Sequence, residues 1–226
     1  MAALNESEFY ESNLALARTT AQENVRLLRL RKPRLDKDSI DVILNDARSH
    51  YAWEKKAIPR VLLEELYHIV ANGATSMNCS PARFYFVTSA QGKDKLAASL
   101  KEKNIEKMRA APVTVIIAHD LEFWKKLPFL FPHEDRTPLF KGKTEYCERT
   151  AFLNGTLQGA YLMIAARALG LDIGPMSGFS NQIVDETFFA GSTLRSNFLC
   201  NLGYADENAL FQKLPRFEFE EVCTFL

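Results

Sequence analysis

Four clusters of basic and polar side chains, spread through the sequence, are the residues best suited to bind an anionic ligand. The clusters are Arg48-Ser49-His50, Thr75–Pro81, Asn104 with Lys107, and Lys213 with Arg216. At helical spacing, Asn104 and Lys107 place an amide and an ammonium group on one face. Each cluster alone is typical of a solvated surface, but together they supply cations from three distant regions. An elongated ligand with a phosphate group would need such an arrangement.

Two segments rich in small residues indicate close contact between the main chain and a flat ligand. Thr75–Pro81 contains Ser76 and Asn78, and Gly174–Phe179 contains Pro175, Met176, Ser177 and Gly178. Such segments let main-chain N–H and C=O groups approach a ligand closely. Combined with the cationic clusters, they predict one phosphate-bearing heteroaromatic cofactor that both segments contact.

Covalent catalysis has little support in the sequence. No nucleotide-binding glycine motif, zinc-protease motif or nucleophile elbow occurs. Cys79, in Asn-Cys-Ser-Pro, is either a nucleophile or a small packed residue, and the second interpretation fits better because a nearby base is needed. Hydrolase chemistry is therefore left without positive evidence.

The composition excludes several classes of partner. The 226 residues include 28 Lys and Arg against 28 Asp and Glu, which favours neither nucleic acid nor an anionic membrane. No apolar run reaches the 18–20 or so residues needed to span a bilayer. The four cysteines are scattered, so neither disulfides nor a metal site is expected. Acidic residues near the start argue against a mitochondrial presequence, and we expect a cytoplasmic protein.

The sequence predicts an N-terminal extension at residues 1–38, partly helical or mobile, followed by a single domain at 39–226. The extension ends in the basic run 26–34, which is either a patch for an anionic partner or a solvated segment. Acidic and apolar residues interrupt the charges, and this favours the solvated alternative.

The hydrophobic pattern predicts an α+β domain with helices and strands interleaved. Helices are expected at 40–47 (capped by Asp38 or Ser39), 61–70, 91–100, 150–171 and 181–189, and strands at 83–88, 112–118 and 197–202. The strand at 112–118 should be central, and residues 219–226 should form an edge strand or an arm. The aromatic segment 120–147 is predicted to be a lid. The helix at 150–171 is apolar nearly all round, so we expect burial, partly by a second subunit.

The order of these motifs resembles that of the nitroreductase-like FMN flavoproteins. The matching phrases include Ala-Arg-Ser-His-Tyr-Ala-Trp53, Asn-Cys-Ser-Pro-Ala-Arg83, Leu-Phe-Pro-His133, Gly-Pro-Met-Ser-Gly-Phe179 and Leu-Pro-Arg216. Within the family, the sequence is most similar to the malonic semialdehyde reductase (RutE-type) branch. The resemblance covers residues 40–226 and implies a mostly antiparallel sheet flanked by helices, with FMN at a homodimer interface.

The resemblance also implies roles for individual residues. Arg48 and Ser49 would contact the FMN phosphate, helped by Arg216, Lys213 and His50. Ser76 and Asn78 would contact the phosphate, the ribityl chain or the ring edge. Asn104 and Lys107 would face the pyrimidine side of the flavin, where a fixed cation favours the reduced state. The loop Pro175, Met176, Ser177 and Gly178 would lie along the ring, with a main-chain N–H directed at N5.

One position departs from the wider family. The family's phosphate motif, an Arg and a Ser followed by a further basic residue, has Tyr51 at its final position and Ala47 at its first. The phosphate assignments are therefore weaker than the assignment of Lys107.

The implied activity is reduction of malonic semialdehyde to 3-hydroxypropanoate, with hydride passing from NADH or NADPH through FMN. The substrate carboxylate needs a cation, for which His133 and Arg136 are candidates, although a surface turn explains them equally well. The alternatives are a broad nitro- or quinone-reductase, a flavin-binding protein without turnover, and a cofactor-free helical scaffold. The two small-residue segments argue against the last.

Overall fold

The computed structural model describes residues 6–31 and 34–226, which fall into two compact units. The first unit ends at Asp41 and the second begins at Val42. The predicted extension ended at residue 38, and its residues 1–5 and 32–33 lie outside the described part of the chain.

The N-terminal unit is helical. It contains α1 (Glu6–Arg31) and the short α2 (Lys37–Ile40). Arg29 and Arg31 occupy the last turn of α1, where cations interact favourably with the helix dipole. The expected cap at Asp38 or Ser39 is wrong, because the side chain of Asp36 caps α2 by accepting from the Ser39 N–H at 2.9 Å. A π-helical turn at Asp41–Asn45 follows.

The larger unit alternates helices and strands. Its helices are α3 (Arg60–Val70), α4 (Ala90–Ala97), α5 (Glu102–Ala110), α6 (Leu127–Leu130), α7 (Thr144–Ala168), α8 (Asn181–Phe188) and α9 (Phe219–Val222). Its strands are β1 (Ala82–Val87), β2 (Val113–Asp120), β3 (Asp172–Met176) and β4 (Leu194–Gly203). Short 3-10 turns occur at Ser76–Asn78, Phe123–Lys126, Thr137–Leu139 and Glu207–Ala209.

Within the described residues, the strands form one antiparallel sheet in the order β1-β2-β4-β3. The prediction that residues 112–118 form a central strand is confirmed, since Val113–Ala118 are all buried. The α+β class with a mostly antiparallel sheet is also confirmed. Gly174–Met176 was expected to be a loop, and this was wrong because these residues belong to β3. β3 is an edge strand, where Pro175 is tolerated although it lacks an N–H.

Helix α7 covers one face of the sheet and leaves its own opposite face uncovered. Leu162 and Ala166 pack into the main core with Ile117. On the opposite side, Leu153 is 58% exposed, and Phe152, Leu157 and Ile164 are also exposed. Burial of this helix was expected partly from a second subunit; the described chain covers one face, and burial of the second face would require another molecule.

The aromatic segment 120–147 is only partly lid-like. Phe123, Leu127 and Phe140 are buried and pack against Cys147 of α7, because their side chains complete a separate core cluster. Phe129, in contrast, is largely exposed. Residues 219–226 were expected to form an edge strand or an arm. The edge strand is wrong, because residues 219–222 form α9, which has a capping box at Glu218 and Glu221, and the arm stays a prediction.

None of the described helices combines the length and apolar character needed to cross a membrane.

Candidate functional site

A cleft lies where the end of β3 meets α5 and the segment before Trp53. Its volume is about 210 Å³. The lining residues are His50, Tyr51, Asn104, Lys107, Gly174, Pro175, Met176, Ser177 and Asn201. The structure thus brings together six of the predicted cofactor-binding residues, from three of the five regions that the sequence singled out.

Strand β3 and the His50 segment approach each other closely at one wall of the cleft. The His50 N–H donates to the carbonyl of Ile173 at 2.9 Å. A Cβ atom on Gly174 would lie 2.5 Å from the His50 carbonyl oxygen. Glycine is required here because the two main chains leave no room for a side chain.

Helix α5 holds the loop that follows β3. The Asn104 side-chain amide donates to the Gly178 carbonyl at 3.2 Å, and the Lys101 N–H donates to the same oxygen at 3.2 Å. A Cβ atom on Gly178 would lie 2.7 Å from the Asn104 amide nitrogen. Gly178 therefore permits a close contact that fixes the loop against α5.

Lys107 projects an ammonium group at this cleft. Its side chain is half-buried, and its nitrogen lies 4.5 Å from the centre of the Tyr51 ring. Among the residues whose side chains the structure describes, 13–31 and 34–226, no carboxylate forms an ion pair with Lys107. The charge is consequently available to a ligand.

The side chain of Asn201, on β4, holds the main chain of Lys107 in place. Its buried amide donates to the Lys107 carbonyl at 3.2 Å and lies 3.9 Å from the Met176 sulfur. Its oxygen accepts from the Thr114 hydroxyl at 2.6 Å. One side chain of β4 therefore positions both α5 and the end of β3.

His50 is buried beside a carboxylate. Its Nε2 lies 3.3 Å from Oδ1 of Asp172, whose other oxygen accepts from the Ala205 N–H. Burial lowers the pKa of His50, and Asp172 opposes that shift only in part. A lowered pKa leaves the imidazole largely neutral near pH 7, so His50 would act as a hydrogen-bonding group rather than as a phosphate cation.

The C-terminal segment brings a second cation next to Arg48. The Arg48 guanidinium donates to the Phe211 carbonyl, and the Lys213 ammonium donates to the Asn45 carbonyl. These two hydrogen bonds connect residues 45–48 with residues 211–213. Neither cation forms an ion pair with a carboxylate in the described chain. Ser49 bridges to Ile173 and is exposed. Arg216 donates to the carbonyls of Leu214 and Pro215, and the structure does not join it to the others.

The turn at 76–78 does not line this cleft. The Ser76 N–H donates to the Asn154 side chain at 2.8 Å, and the Asn78 amide donates to the Leu130 carbonyl at 2.9 Å. Met77, Asn78 and Ser80 all have positive φ angles, of 52°, 51° and 37°. Non-glycine residues in this conformation are strained and concentrate at functional sites. Asn78 and Leu130 instead line a separate cavity of about 440 Å³.

The two substrate candidates also lie away from the cleft lining. His133 is exposed and packs edge-on against Phe131, with ring centres 5.3 Å apart. Arg136 forms an ion pair with Glu134 at 2.6 Å. Its Nε is buried and has no hydrogen-bond partner among the described residues.

Sequence reasoning missed Asn201 as part of the cleft lining and Asp172 as the neighbour of His50. The signal for Asn201 was present, because an amide within the apolar run Phe198–Leu202 needs a buried partner. Asp172 offered no comparable signal, since its role depends on the approach of the His50 segment.

The cysteine alternative is excluded by burial. Cys79 is fully buried, and desolvation raises the pKa of its thiol to about 11. Burial likewise raises the pKa of Cys200 to about 12 and the pKa of Cys147. Protonated buried thiols are poor nucleophiles.

The sequence model of the nitroreductase family matches residues 44–204 of this chain. The chain belongs to the nitroreductase family. The match contains every cleft residue named above and ends shortly before the cationic segment with Lys213 and Arg216.

Solved structures share the fold at low sequence identity. An NAD(P)H:FMN oxidoreductase, provisionally assigned, from Staphylococcus epidermidis is 21% identical, with 85% of this chain and 98% of that chain covered and a TM-score of 0.75. A provisionally assigned nitroreductase from Exiguobacterium sibiricum, in complex with FMN, is 19% identical, with 85% and 99% covered and a TM-score of 0.73. An enone reductase of gut-bacterial fatty acid saturation, CLA-ER, is 19% identical, with 85% and 100% covered and a TM-score of 0.73. At these identities the likeness establishes the fold.

The burial of the cysteines predicts the thiol reactivity of the native protein. At pH 8, Ellman's reagent should label one thiol rapidly, the exposed Cys223, and the other three of the four cysteines only after unfolding. The raised pKa values keep those three thiols protonated at pH 8, and burial blocks access. The variant C223S should show no rapid labelling. A second rapid thiol that C79S abolishes would restore the nucleophile alternative.

Proposed function

We propose that the protein is an FMN-dependent NAD(P)H oxidoreductase that reduces malonic semialdehyde to 3-hydroxypropanoate. The observation that carries the proposal is the half-buried ammonium of Lys107, without a carboxylate partner, in a cleft shared with the loop after β3. Family membership supports the class of activity. The named substrate rests on the resemblance to one branch, and the expected cytoplasmic location stays a prediction.

The residues present suit FMN. The residues that line the cleft include several hydrogen-bond donors: the Lys107 ammonium, the Asn104 amide, the His50 imidazole and the main-chain N–H of Ser177. Arg48 and Lys213 would hold the phosphate, because both already donate to uncharged carbonyls that a phosphate would replace with stronger charge-assisted bonds. Arg216 and Ser49 would add to this end.

When bound, FMN would accept a hydride from NADH or NADPH and pass it to the second substrate. The protein's own contribution is electrostatic and positional. Lys107 supplies positive charge on the pyrimidine side, and Asn201 fixes the backbone from which that charge projects. Asn104 holds the loop of Gly178, so that a main-chain N–H keeps its direction during turnover.

The charge of Lys107 has a definable effect. At about 4 Å and an effective dielectric constant near 20, one ion pair is worth on the order of 4 kcal/mol. An exposed pair is worth roughly 0–1 kcal/mol. Lys107 is half-buried, so its effect on reduction should lie between about 1 and 4 kcal/mol, or about 20–90 mV for a two-electron couple.

The segment containing His133 and Arg136 is proposed to bind the carboxylate of the substrate. Arg136 has a buried Nε without a partner in the described chain, and only its Nη2 pairs with Glu134. A guanidinium with donors to spare suits a small carboxylate. Asn78 contacts Leu130 just before this segment, so the strained turn and the substrate segment form one region.

A homodimer follows from the separation of these two regions. The cleft holds one group of predicted FMN contacts, whereas Asn78 lines a separate cavity with Leu130, and Ser76 contacts Asn154 of α7. If both groups contact the same FMN, the second group would come from the partner subunit. The exposed apolar face of α7, with Leu153, Leu157 and Ile164, is the proposed dimer surface.

A broad nitro- or quinone-reductase is the second candidate. The observation that favours it is the largely exposed Phe129, next to Leu130 in the substrate region, because an exposed aromatic ring stacks on flat acceptors without selecting a carboxylate. A flavin-binding protein without turnover would use the same cleft.

The first prediction from the proposed function concerns FMN binding and the effect of Lys107 on flavin reduction. The purified protein should bind FMN, and anaerobic NADH or NADPH should bleach its absorption near the flavin maximum. The variant K107M should bind FMN but show a reduction potential about 20–90 mV lower, because the cation that favours reduction is gone. A protein that takes up no FMN contradicts the proposal, and binding without bleaching favours the protein without turnover.

The second prediction concerns the substrate. Malonic semialdehyde should be reduced with a higher kcat/KM than a nitroaromatic acceptor. R136Q should lower kcat/KM for malonic semialdehyde by about 10–100-fold, since a hydrogen bond to a charged group contributes roughly 1.5–3 kcal/mol. The nitroaromatic rate should not change.

The matched control for R136Q is K141Q, which removes an exposed cation from the same segment. Equal losses for R136Q and K141Q would argue against a specific role for Arg136. Preference for the nitroaromatic acceptor would select the second candidate function.

The third prediction concerns the dimer. The parent protein should sediment as a dimer, and L153E should sediment as a monomer because it buries an unpaired carboxylate at the interface. FMN affinity should fall at least about tenfold, or about 1.4 kcal/mol, with loss of the partner's contacts. V61E, an exposed apolar-to-acid change on α3, is the control. A monomer that keeps full affinity would refute the shared site.

A further inference from the structure

We propose that Tyr51 is a positioning residue, which holds the ammonium of Lys107 at the cleft and thereby raises the reduction potential of the bound flavin. The inference rests on the proposed binding of FMN. It concerns a residue to which the family pattern assigns a different chemistry, because a basic residue is common at this position.

The geometry joins the two side chains directly. The Lys107 nitrogen lies 4.5 Å from the centre of the Tyr51 ring, within the distance at which a ring face attracts a cation. Both residues line the same cleft. Tyr51 is 46% exposed, whereas Lys107 is half-buried.

Lys107 needs such a partner. A lysine has a flexible stem of four carbons and loses considerable rotamer entropy when its head group is held in place. Asn201 fixes the main chain of Lys107 but does not contact its ammonium. In the described part of the chain, that ammonium group forms neither a hydrogen bond nor an ion pair, and its cation–π partner is the Tyr51 ring.

An aromatic ring suits this task better than a charged partner. A carboxylate would hold the ammonium but neutralise its field, whereas a ring attracts the cation and leaves its full charge. A basic residue at position 51 would repel Lys107 from the cleft. Tyr51 thus keeps a flexible cation in place without reducing its charge toward the flavin.

The test measures the two-electron reduction potential of bound FMN in the parent protein, Y51L, Y51F, K107M and the double variant with Y51L and K107M. Y51L should lower the potential, with a shift of about threefold in the oxidised-to-reduced equilibrium, or about 14 mV. Y51F keeps the ring and should leave the potential unchanged. In the K107M background, Y51L should have no further effect, because the ring acts through Lys107 alone.

Three outcomes would overturn the proposal. An equal shift from Y51L in the K107M background would show that Tyr51 acts on the flavin directly. An unchanged potential in Y51L would show that Lys107 needs no positioning. A raised potential would show that the ring competes with the flavin for the ammonium. Melting temperature and FMN affinity, measured in parallel, separate misfolding from a change in potential.

A measurement without FMN keeps the proposal independent of the cofactor. In the apo protein, the ring current of Tyr51 should shift the Lys107 ε-methylene protons upfield in the parent and in Y51F, but not in Y51L. Absence of that shift in the parent overturns the positioning role. If the shift is present but the protein binds no FMN, the proposed function fails while the contact between the two residues stands.

Discussion

The buried amide of Asn201 is the contact on which the candidate site depends. It reaches three elements at once: the hydroxyl of Thr114 on β2, the carbonyl of Lys107 on α5, and the sulfur of Met176 on β3. A hydrogen bond of this kind contributes roughly 0.5–1.5 kcal/mol, and an unpaired buried amide costs about as much or more. The cleft therefore has a defined shape because one side chain of the sheet must satisfy its hydrogen bonds there.

From that contact the rest of the cleft follows. Strand β3 is an edge strand, so its outer side is open to the His50 segment, and Gly174 lets the two main chains meet. Helix α5 lies over the end of β3 and clamps the loop at Gly178. The result is a concave surface with amide, imidazole and ammonium groups, and no carboxylate among the described side chains pairs with Lys107. Such a surface suits a heterocycle that gains negative charge when it is reduced.

Two further features are not explained by contacts within one chain: the uncovered apolar face of α7 and the strained turn at 76–78. A helix whose apolar residues lie on both faces can bury only one of them against its own sheet. The turn and the residues just after it keep Met77, Asn78 and Ser80 at positive φ, a strained conformation that concentrates at functional sites. Both features are explained if the functional unit is larger than one chain.

Local sequence signals predicted most of the regular elements correctly. The continuous apolar run at 112–118 could only be a central strand, and Gly170 with φ of 74° ends the long helix close to the expected position. The segment Gly174–Met176 was predicted to be a loop because proline and glycine usually mark loops. An edge strand tolerates proline, but the sequence does not show which strand lies at the edge of the sheet. The prediction of an edge strand at residues 219–226 failed because alternating Phe and Glu are compatible both with a strand and with a capped helical turn.

The sequence by itself determined the class of fold, the family and the residue types available for binding an anion, because these depend on patterns over short stretches of chain. It also indicated Lys107, because the spacing from Asn104 is a local helical property. Only the tertiary structure decided that Tyr51 faces Lys107, that Asp172 lies beside His50, and that the turn at 76–78 does not line the same cleft. Those relations join residues far apart in the chain, and sheet order and helix packing determine which distant residues come together.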